Sequence, residues 1–349
     1  MTSEWKECTL SELGDIVGGA TPSTKNESNY GGNIAWITPK DLSNLKGRFI
    51  AHGERNITEK GLNSCSAQMM PANTILFSSR APIGYVAISE NPVCTNQGFK
   101  SLVPNSDNDP MFLYYLLKYN RDTIEAMGSG TTFKEVSGAT MRNIRVHVPI
   151  KKAEQQRIAS VLDSLDSKIE LNRKINDIMQ QQANLIYSQF FDVLSGSSVE
   201  LSSVIDVRDG THDSPKPQKE GYPLVTSKHL LPFGVDLLSP NRISKSDYDK
   251  INERSKVETN DILKSKEISQ HIEMNLAGST QKYISLTELR KLPFIVPKDE
   301  KLSDFNALVG PIFSSITERI RENANLAQLR DTLLPKLMSG EIDVSAIWT

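Results

Sequence analysis

To read a base edge in a DNA groove, a loop must present a donor or acceptor of the right shape: a guanidinium or ammonium for guanine, an amide for adenine, a hydroxyl for either. The first 150 residues carry several such groups. Lys25 and Lys40 each lie beside a turn, Arg80 ends a β-rich run, Gln97 sits in a polar loop, and Thr131, Thr132 and Lys134 occupy a Gly-flanked stretch before Val136. Arg80 best suits a bidentate base contact, whereas Lys134 and its later counterpart Lys282 suit phosphates, where charge suffices and no sequence is read. His212, Lys228 and Lys282 are the weaker candidates of the second half. For each of these side chains the alternative is a solvated surface residue with no ligand.

Catalytic chemistry is harder to find. Amino-methylation of a base calls for an Asn/Asp-Pro-Pro-aromatic motif, and the nearest stretch, Asn91-Pro92-Val93, reads as a turn. Gly128-Ser129-Gly130 lacks the strand, helix and following acidic residue of a dinucleotide loop, and no Gly-Lys-Ser/Thr ends a phosphate loop. Glu4-Trp5-Lys6 has nuclease-like spacing, but no upstream Asp accompanies it. His52, His147, His212, His229 and His271 show no HExxH spacing, and Cys8, Cys65 and Cys94 form no CxxC pair. The expectation is no catalytic residue, no metal site and no cofactor held by this chain. A formal net charge of −2 argues against indiscriminate coating of nucleic acid while allowing a site-specific reader with local positive charge. Met1–Leu10 has no apolar signal core and no stretch reaches membrane-span length, so a reducing cytoplasm is expected.

The loops need a scaffold, and the chain shows one plan twice. LSELGD at Leu10–Asp15 is echoed by LSSVID at Leu201–Asp206, ITPKDL at Ile37–Leu42 by VTSKHL at Val225–Leu230, and NTIL at Asn73–Leu76 by NDIL at Asn260–Leu263. Val148-Pro149 matches Val296-Pro297, and Lys134 matches Lys282. Each half opens with short β-rich runs such as Thr74–Ser78, Tyr85–Ile88 and Ile144–Val148, punctuated by Gly, Pro, Asn and Ser, with a helix at Met111–Lys118.

Each half then changes in kind. From Glu154 on, Ile158, Leu162, Leu165, Ile169, Asn172, Asn176, Met179, Ala183, Ile186 and Phe190 recur at alternating spacings of four and three, which is a heptad seam. Phe305, Val309, Ile312, Ile316, Asn323, Leu326, Leu333 and Leu337 form a second seam from about Ser303, interrupted in register by Arg319 and Arg330 and expected to end at Pro335 and Gly340. Each helix could pack on its own domain, but both stripes outlast one domain face, so antiparallel pairing with each other is the better reading. A helix from about Arg157 to Asp192 is roughly 54 Å long, against a major-groove repeat of about 34 Å, so the pair would act as a ruler between two readers. Asn172 and Asn176 either fix register within the seam or face water.

The ordered set of LSELGDI (Leu10–Ile16), GATPS (Gly19–Ser23), IAWIT (Ile34–Thr38) with Lys40-Asp41-Leu42, ITEKGL (Ile57–Leu62), TNQG (Thr95–Gly98), EQQRIA (Glu154–Ala159) and LLPKL (Leu333–Leu337) resembles the specificity subunits of type I restriction-modification enzymes over essentially the whole chain. The resemblance implies an α+β fold of two strand-rich target-recognition domains separated by two long antiparallel helices. It implies a non-catalytic reader of a split, asymmetric double-stranded DNA site whose helices dock two methyltransferase subunits and set the half-site spacing. Translocase-nuclease subunits would join them, and S-adenosylmethionine, ATP and magnesium would sit on those partners. The expected domains are 1–150 and 197–300 for recognition, with helices in 151–196 and in 301–349.

The second half departs from the first. Leu76 and Ile124 are about 48 positions apart, but their counterparts Leu263 and Ile272 only about 9, so about 39 residues corresponding to Ser79–Tyr119 are missing. At about 1.5–3 kcal/mol per buried apolar side chain, that loss rivals the 5–15 kcal/mol stability of a domain. A recombined or degenerate specificity cassette, or an independent coiled-coil DNA-binding protein, therefore stands beside the main reading.

Overall fold

Short β-rich runs cannot each bury a face alone and must close on one another. The computed structural model describes residues 4–80, 82–130, 134–190, 198–208, 210, 213–231, 234–235, 237, 239–257, 286–295 and 299–344. They fall into two units, Met1–Arg173 with Glu322–Thr349, and Lys174–Arg321.

In the first unit the chain runs β1 (Trp5–Thr9), α1 (Leu10–Leu13), β2 (Gly14–Gly18), β3 (Tyr30–Ile34), β4 (Trp36–Ile37), α2 (Pro39–Ser43), β5 (Phe49–Ile50), α3 (Glu59–Asn63), β6 (Ile75–Phe77), β7 (Val86–Ser89), β8 (Cys94–Thr95), β9 (Lys100–Pro104), α4 (Pro110–Tyr119), α5 (Arg121–Ala126), α6 (Gly138–Asn143) and β10 (Arg145–Pro149) into the long helix α7 (Lys152–Phe190). One sheet has the order β2-β9-β6-β7-β5, antiparallel except where β5 runs parallel to β7. β4 pairs parallel with β8, and β1 pairs antiparallel with β10 from Trp5↔Pro149 to Thr9↔Arg145.

The short strands read from sequence and the Met111–Lys118 helix appear as β6, β7, β10 and α4. Pro110 preorganises the first turn of α4, and the Asp109 carboxylate caps it by accepting from the Phe112 amide at 2.9 Å. Phe112 to Leu117 are buried without a break, so this helix is enclosed on all sides. Its core continues into the helices: Ile75, Phe77 and Leu102 pack in one cluster with Ile158 and Leu162 of α7 and with Leu337 and Met338.

The heptad seam of α7 is the face that is covered. Ile158, Leu162, Ile169, Asn172, Asn176 and Ala183 are buried, and Leu165, Met179, Ile186 and Phe190 are half-buried. After the small second-unit elements β11 (Ser198–Glu200), β12 (Tyr222–Pro223), β13 (Leu230–Leu231), β14 (Gly234–Val235), β15 (Arg242–Ile243), α8 (Lys245–Ser255), α9 (Leu286–Arg290) and β16 (Pro293–Ile295) comes α10 (Asp299–Met338). Val309, Ile316 and Leu337 are buried on it, while Ile312, Asn323, Leu326 and Leu333 are half-buried. The contacts run antiparallel in each unit: Asp166 meets Arg330 and Asn172 meets Asn323 in the first, and Asn176 meets the Ile316 carbonyl and Phe190 the Phe305 ring in the second.

Both asparagines are inside the seam, not facing water: Asn172 is 0% exposed and Asn176 7%. α7 starts five residues before Arg157 and at 39 residues is about 58 Å long. Pro335 does not end α10. It forfeits only its own N–H bond, and the buried Leu337 and Met338 hold the last turn until Gly340, at φ +77°, stops it.

In the second unit β11 pairs antiparallel with β16, and Leu201, Val207 and Leu292 form a small buried cluster. Two further two-stranded ladders, β12-β15 and β13-β14, are described there.

Candidate nucleic-acid interface

Backbone hydrogen bonds at the ends of the first unit's strands bring three distant loops together. The Ser79 amide donates to the Gly98 carbonyl at 2.7 Å, and the Val136 amide donates to the Ser79 carbonyl at 2.9 Å. Arg80 and Glu135 thereby face each other across an antiparallel bridge. Arg80 Nε donates to Glu135 Oε2 at 2.9 Å, and Lys100 Nζ reaches Glu135 Oε1 at 3.4 Å. A Cβ built on Gly138 would stand 3.6 Å from Arg142 Nη1 and 3.8 Å from Lys100 Cδ, so these two side chains lie over that glycine. Lys134, next in sequence to Glu135, is exposed.

The sequence motifs converge on the same place. The Ala20 amide donates to the Thr95 carbonyl at 2.9 Å, and a Cβ on Gly19 would come 2.1 Å from the Asn96 carbonyl, so only glycine allows this approach. The Thr21 hydroxyl donates to the side-chain carbonyl of Gln97. Gly98 packs on the Pro39 ring at the start of α2, the helix that carries Lys40. GATPS, TNQG and ITPKDL are thus three sides of one loop cluster.

The cluster holds Arg80 and Lys100 on one carboxylate, with Arg142 over Gly138 beside Lys100. Partial burial of Glu135 opposes ionisation, but Arg80 and Lys100 outweigh it and hold the carboxyl below its ordinary range. Arg80 remains 45% exposed, so its guanidinium is oriented by Glu135 and still able to face a base edge or phosphate. Glu135 itself could accept from a cytosine amine.

Of the residues expected from sequence, Arg80, Gln97 and Lys134 fall in this cluster. Lys25 is exposed in the turn after GATPS, and Lys40 pairs with Glu54 at 2.7 Å in a fully solvated bridge of little energetic weight. Lys228 is exposed in the second unit beside His229, which is buried and accepts from the Thr226 amide through Nδ1 at 2.9 Å. Thr131, Thr132, His212 and Lys282 lie outside the described residues. Sequence reading misses Glu135, Lys100 and Arg142: Glu135 meets Arg80 across 55 positions and Lys100 across 35, and Arg142 joins Lys100 only over Gly138.

The domain is fastened to α7 by polar side chains as well as apolar ones. Gln155, in the EQQRIA motif, is buried; its Nε2 donates to Asn108 Oδ1 at 2.9 Å and to the Pro149 carbonyl at 3.1 Å, and its Oε1 accepts from the Asp109 amide at 2.8 Å. Arg48 is buried against α7, and the Glu170 and Asp163 carboxylates with Tyr115 more than offset the burial that would lower its pKa. The Tyr115 hydroxyl donates to Asp166 at 2.8 Å and is pushed above the usual tyrosine range by burial and by that carboxylate. Among the described residues no group of three or more His, Cys, Asp or Glu could hold a metal, and no helix is long and apolar enough to cross a membrane.

The family model for the type I restriction modification DNA specificity domain matches residues 2–180, which covers the loop cluster and most of α7. The chain belongs to that family. The type I restriction enzyme MjaIX specificity subunit of Methanocaldococcus jannaschii is 31% identical over 414 aligned positions, covering 99% of this chain and 95% of the relative. That alignment is longer than the 349-residue chain, so the relative carries segments this specificity-family member lacks. The HindI specificity subunit of Haemophilus influenzae is 30% identical over 181 residues, covering 50% of this chain and 39% of that one. The crystal structure of a type I restriction-modification S subunit from M. genitalium aligns over 97% of this chain and 99% of its own at a TM-score of 0.56 and 16% identity, which is a likeness of fold.

Proposed function

We propose that this chain is the non-catalytic, sequence-reading subunit of a type I restriction-modification complex. Residues 1–150 read one half of a split, asymmetric DNA site and residues 197–300 the other. The helices in 151–196 and 301–349 set the spacing and dock two methyltransferase subunits. Translocase-nuclease subunits complete the assembly, and S-adenosylmethionine, ATP and magnesium belong to the partners.

The observation that supports this best is the loop cluster. A half-exposed guanidinium oriented by a carboxylate that Lys100 also reaches, with Arg142 beside Lys100 and an exposed Lys134 next in sequence to Glu135, suits base reading with flanking phosphate contacts. On this reading Arg80 contacts a base, Gln97 and Glu135 read or orient beside it, and Lys25, Lys40, Thr131, Thr132 and Lys134 line the backbone. His212, Lys228 and Lys282 serve the second half-site. The seam residues Ile158, Leu162, Leu165, Ile169, Asn172, Asn176, Met179, Ile312, Ile316, Asn323, Leu326 and Leu333 serve docking indirectly. They are buried or half-buried, and the exposed faces of both helices are left for partners.

A second reading is favoured by the missing segment in the second half: a shortened cassette whose docking helices work but whose second reader does not. Co-expression with its methyltransferase subunits in a methylation-free host, followed by mapping of methylated bases, separates the two. A split asymmetric motif supports the first reading. A stable complex with half a motif, or none, supports the second, and failure to assemble with any methyltransferase refutes both.

A further inference from the structure

Arg48 is the buried charge that neither base reading nor helix pairing explains. It sits immediately before β5, its side chain is 5% exposed, and every donor of its guanidinium is engaged by another element. Nε donates to Glu170 Oε1 at 2.9 Å, Nη2 to Ser167 Oγ at 2.9 Å and Glu170 Oε2 at 3.1 Å, and Nη1 to the Asp163 carboxylate and the Tyr115 hydroxyl. Its backbone amide also donates to Glu170, at 3.1 Å. Tyr115 passes the connection to Asp166, which accepts from Arg330 of α10 at 2.6 Å. One unbroken line of charge-assisted bonds therefore ties the β5 loop to α4, α7 and α10.

The apolar core already attaches this domain to the helices, but apolar contact is non-directional and tolerates small rotations. A planar fork held by two carboxylates and two hydroxyls does not, because turning the domain on α7 breaks several bonds of defined geometry at once. We propose that Arg48 is a positioning residue that sets the angle of the first recognition domain on the helix pair, and so the separation and phase at which the two halves of the DNA site must lie. The inference rests on the reading of this chain as the reader of a split site. One base pair more or less moves a half-site by about a tenth of a helical turn, a change that a rigid mount rejects and a looser one accepts.

The test uses the complex assembled with its methyltransferase subunits and a set of targets whose spacer is one base pair shorter, unchanged or one longer. Arg48→Lys keeps the charge and removes the fork; Glu170→Gln keeps the fork bonded to Asp163 and Tyr115 and weakens one arm. Both variants are expected to keep the base preference of the first half-site, while methylation of the altered spacers rises about tenfold relative to the normal one, equivalent to about 1.4 kcal/mol of lost discrimination. Unchanged spacer selectivity in the variants overturns the proposal, as does loss of base preference in step with spacing. If Arg48→Lys fails to assemble, the spacer selectivity of Glu170→Gln decides between these outcomes. A wild-type complex without a split motif overturns the underlying reading, a result visible before any variant is compared.

Discussion

Asn172→Leu should make this protein more stable and less well specified. The Asn172 side chain is fully buried in the helix seam, and its Oδ1 has no hydrogen-bond partner. Its Nδ2 donates to Glu322 Oε2 at 2.6 Å and Asn323 Oδ1 at 2.9 Å. Leucine removes an orphaned acceptor that costs about 1–3 kcal/mol and adds apolar burial of about 1.5–3 kcal/mol. Against this stand one charge-assisted bond of about 1.5–3 kcal/mol, one neutral bond of about 0.5–1.5 kcal/mol, and about 1 kcal/mol of strain from the larger side chain. Glu322 softens the loss, since it is 44% exposed, lies 3.6 Å from Lys168 and can rehydrate. The midpoints cancel before Glu322 rehydrates, and recovering about 1 kcal/mol of its lost bond leaves a gain of about 1 kcal/mol, or a rise of about 2–4 °C in Tm. Differential scanning calorimetry of the full chain measures it, and light scattering reads the second consequence, because a seam that keeps Asn176 but has lost Asn172 selects register and association state less strictly. A loss exceeding about 2 kcal/mol would refute the reasoning, since the amide network would then be a net source of stability.

Four further outcomes follow from the geometry. Arg80→Ala should weaken specific binding by about 1–3 kcal/mol and relax one base position, whereas Lys134→Ala should weaken all sequences alike and flatten the salt dependence by about one unit; parallel salt titrations on cognate and scrambled duplexes separate them. Glu135→Gln leaves Arg80 and Lys100 without their shared carboxylate, so non-specific affinity should rise and steepen with falling salt. Because the Glu135 pKa is lowered in the folded chain, the wild-type ion pair is intact above the ordinary carboxylate range and is lost as pH falls through its folded value, so acid should mimic the variant. Burial pushes the Cys94 thiol up to about 12, so its unfolded form ionises first as pH rises above about 9, and stability should fall by up to about 1.4 kcal/mol per pH unit; Cys94→Ala should flatten that slope in alkaline melts. Leu162→Ala, in the core shared by the domain and both helices, should cost about 2–5 kcal/mol in denaturant unfolding, while Leu171→Ala, 52% exposed on the same helix, should stay within about 0.5 kcal/mol.

The parts legible in the sequence are those with a period or a local signature. The alternation of four and three from Ile158 to Phe190 needs no partner to be read, and it is the buried face. The run Met111–Lys118 announces α4 in the same way. Helix ends are harder: Pro335 looks like a stop, but Leu337 and Met338 gain enough from the core to hold one more turn. Arg48 stands in a plain Lys-Gly-Arg-Phe loop, and its partners on α7 lie 115 to 122 residues away, a distance at which pattern carries no signal. Glu135 escapes for the same reason. Arg80 and Gln97 can be found because exposed polar groups beside turns need only local chemistry, but nothing local says that they share a surface.

The antiparallel pairing of β1 with β10 has a consequence for how such a chain can be altered. The polypeptide enters the first domain at Thr9 and leaves it at Arg145, residues directly opposite each other in the ladder, with α7 beginning soon afterwards. Topologically everything between them is a single excursion from one doorway. A foreign domain with the same doorway could be transplanted there without re-threading either helix, provided it brought an acceptor for Gln155 and an arginine for Glu170. If Arg48 sets the angle as proposed, the unit of exchange is the excursion together with its two fastenings, and a graft without them would keep apolar contact with the helices and lose the fixed angle.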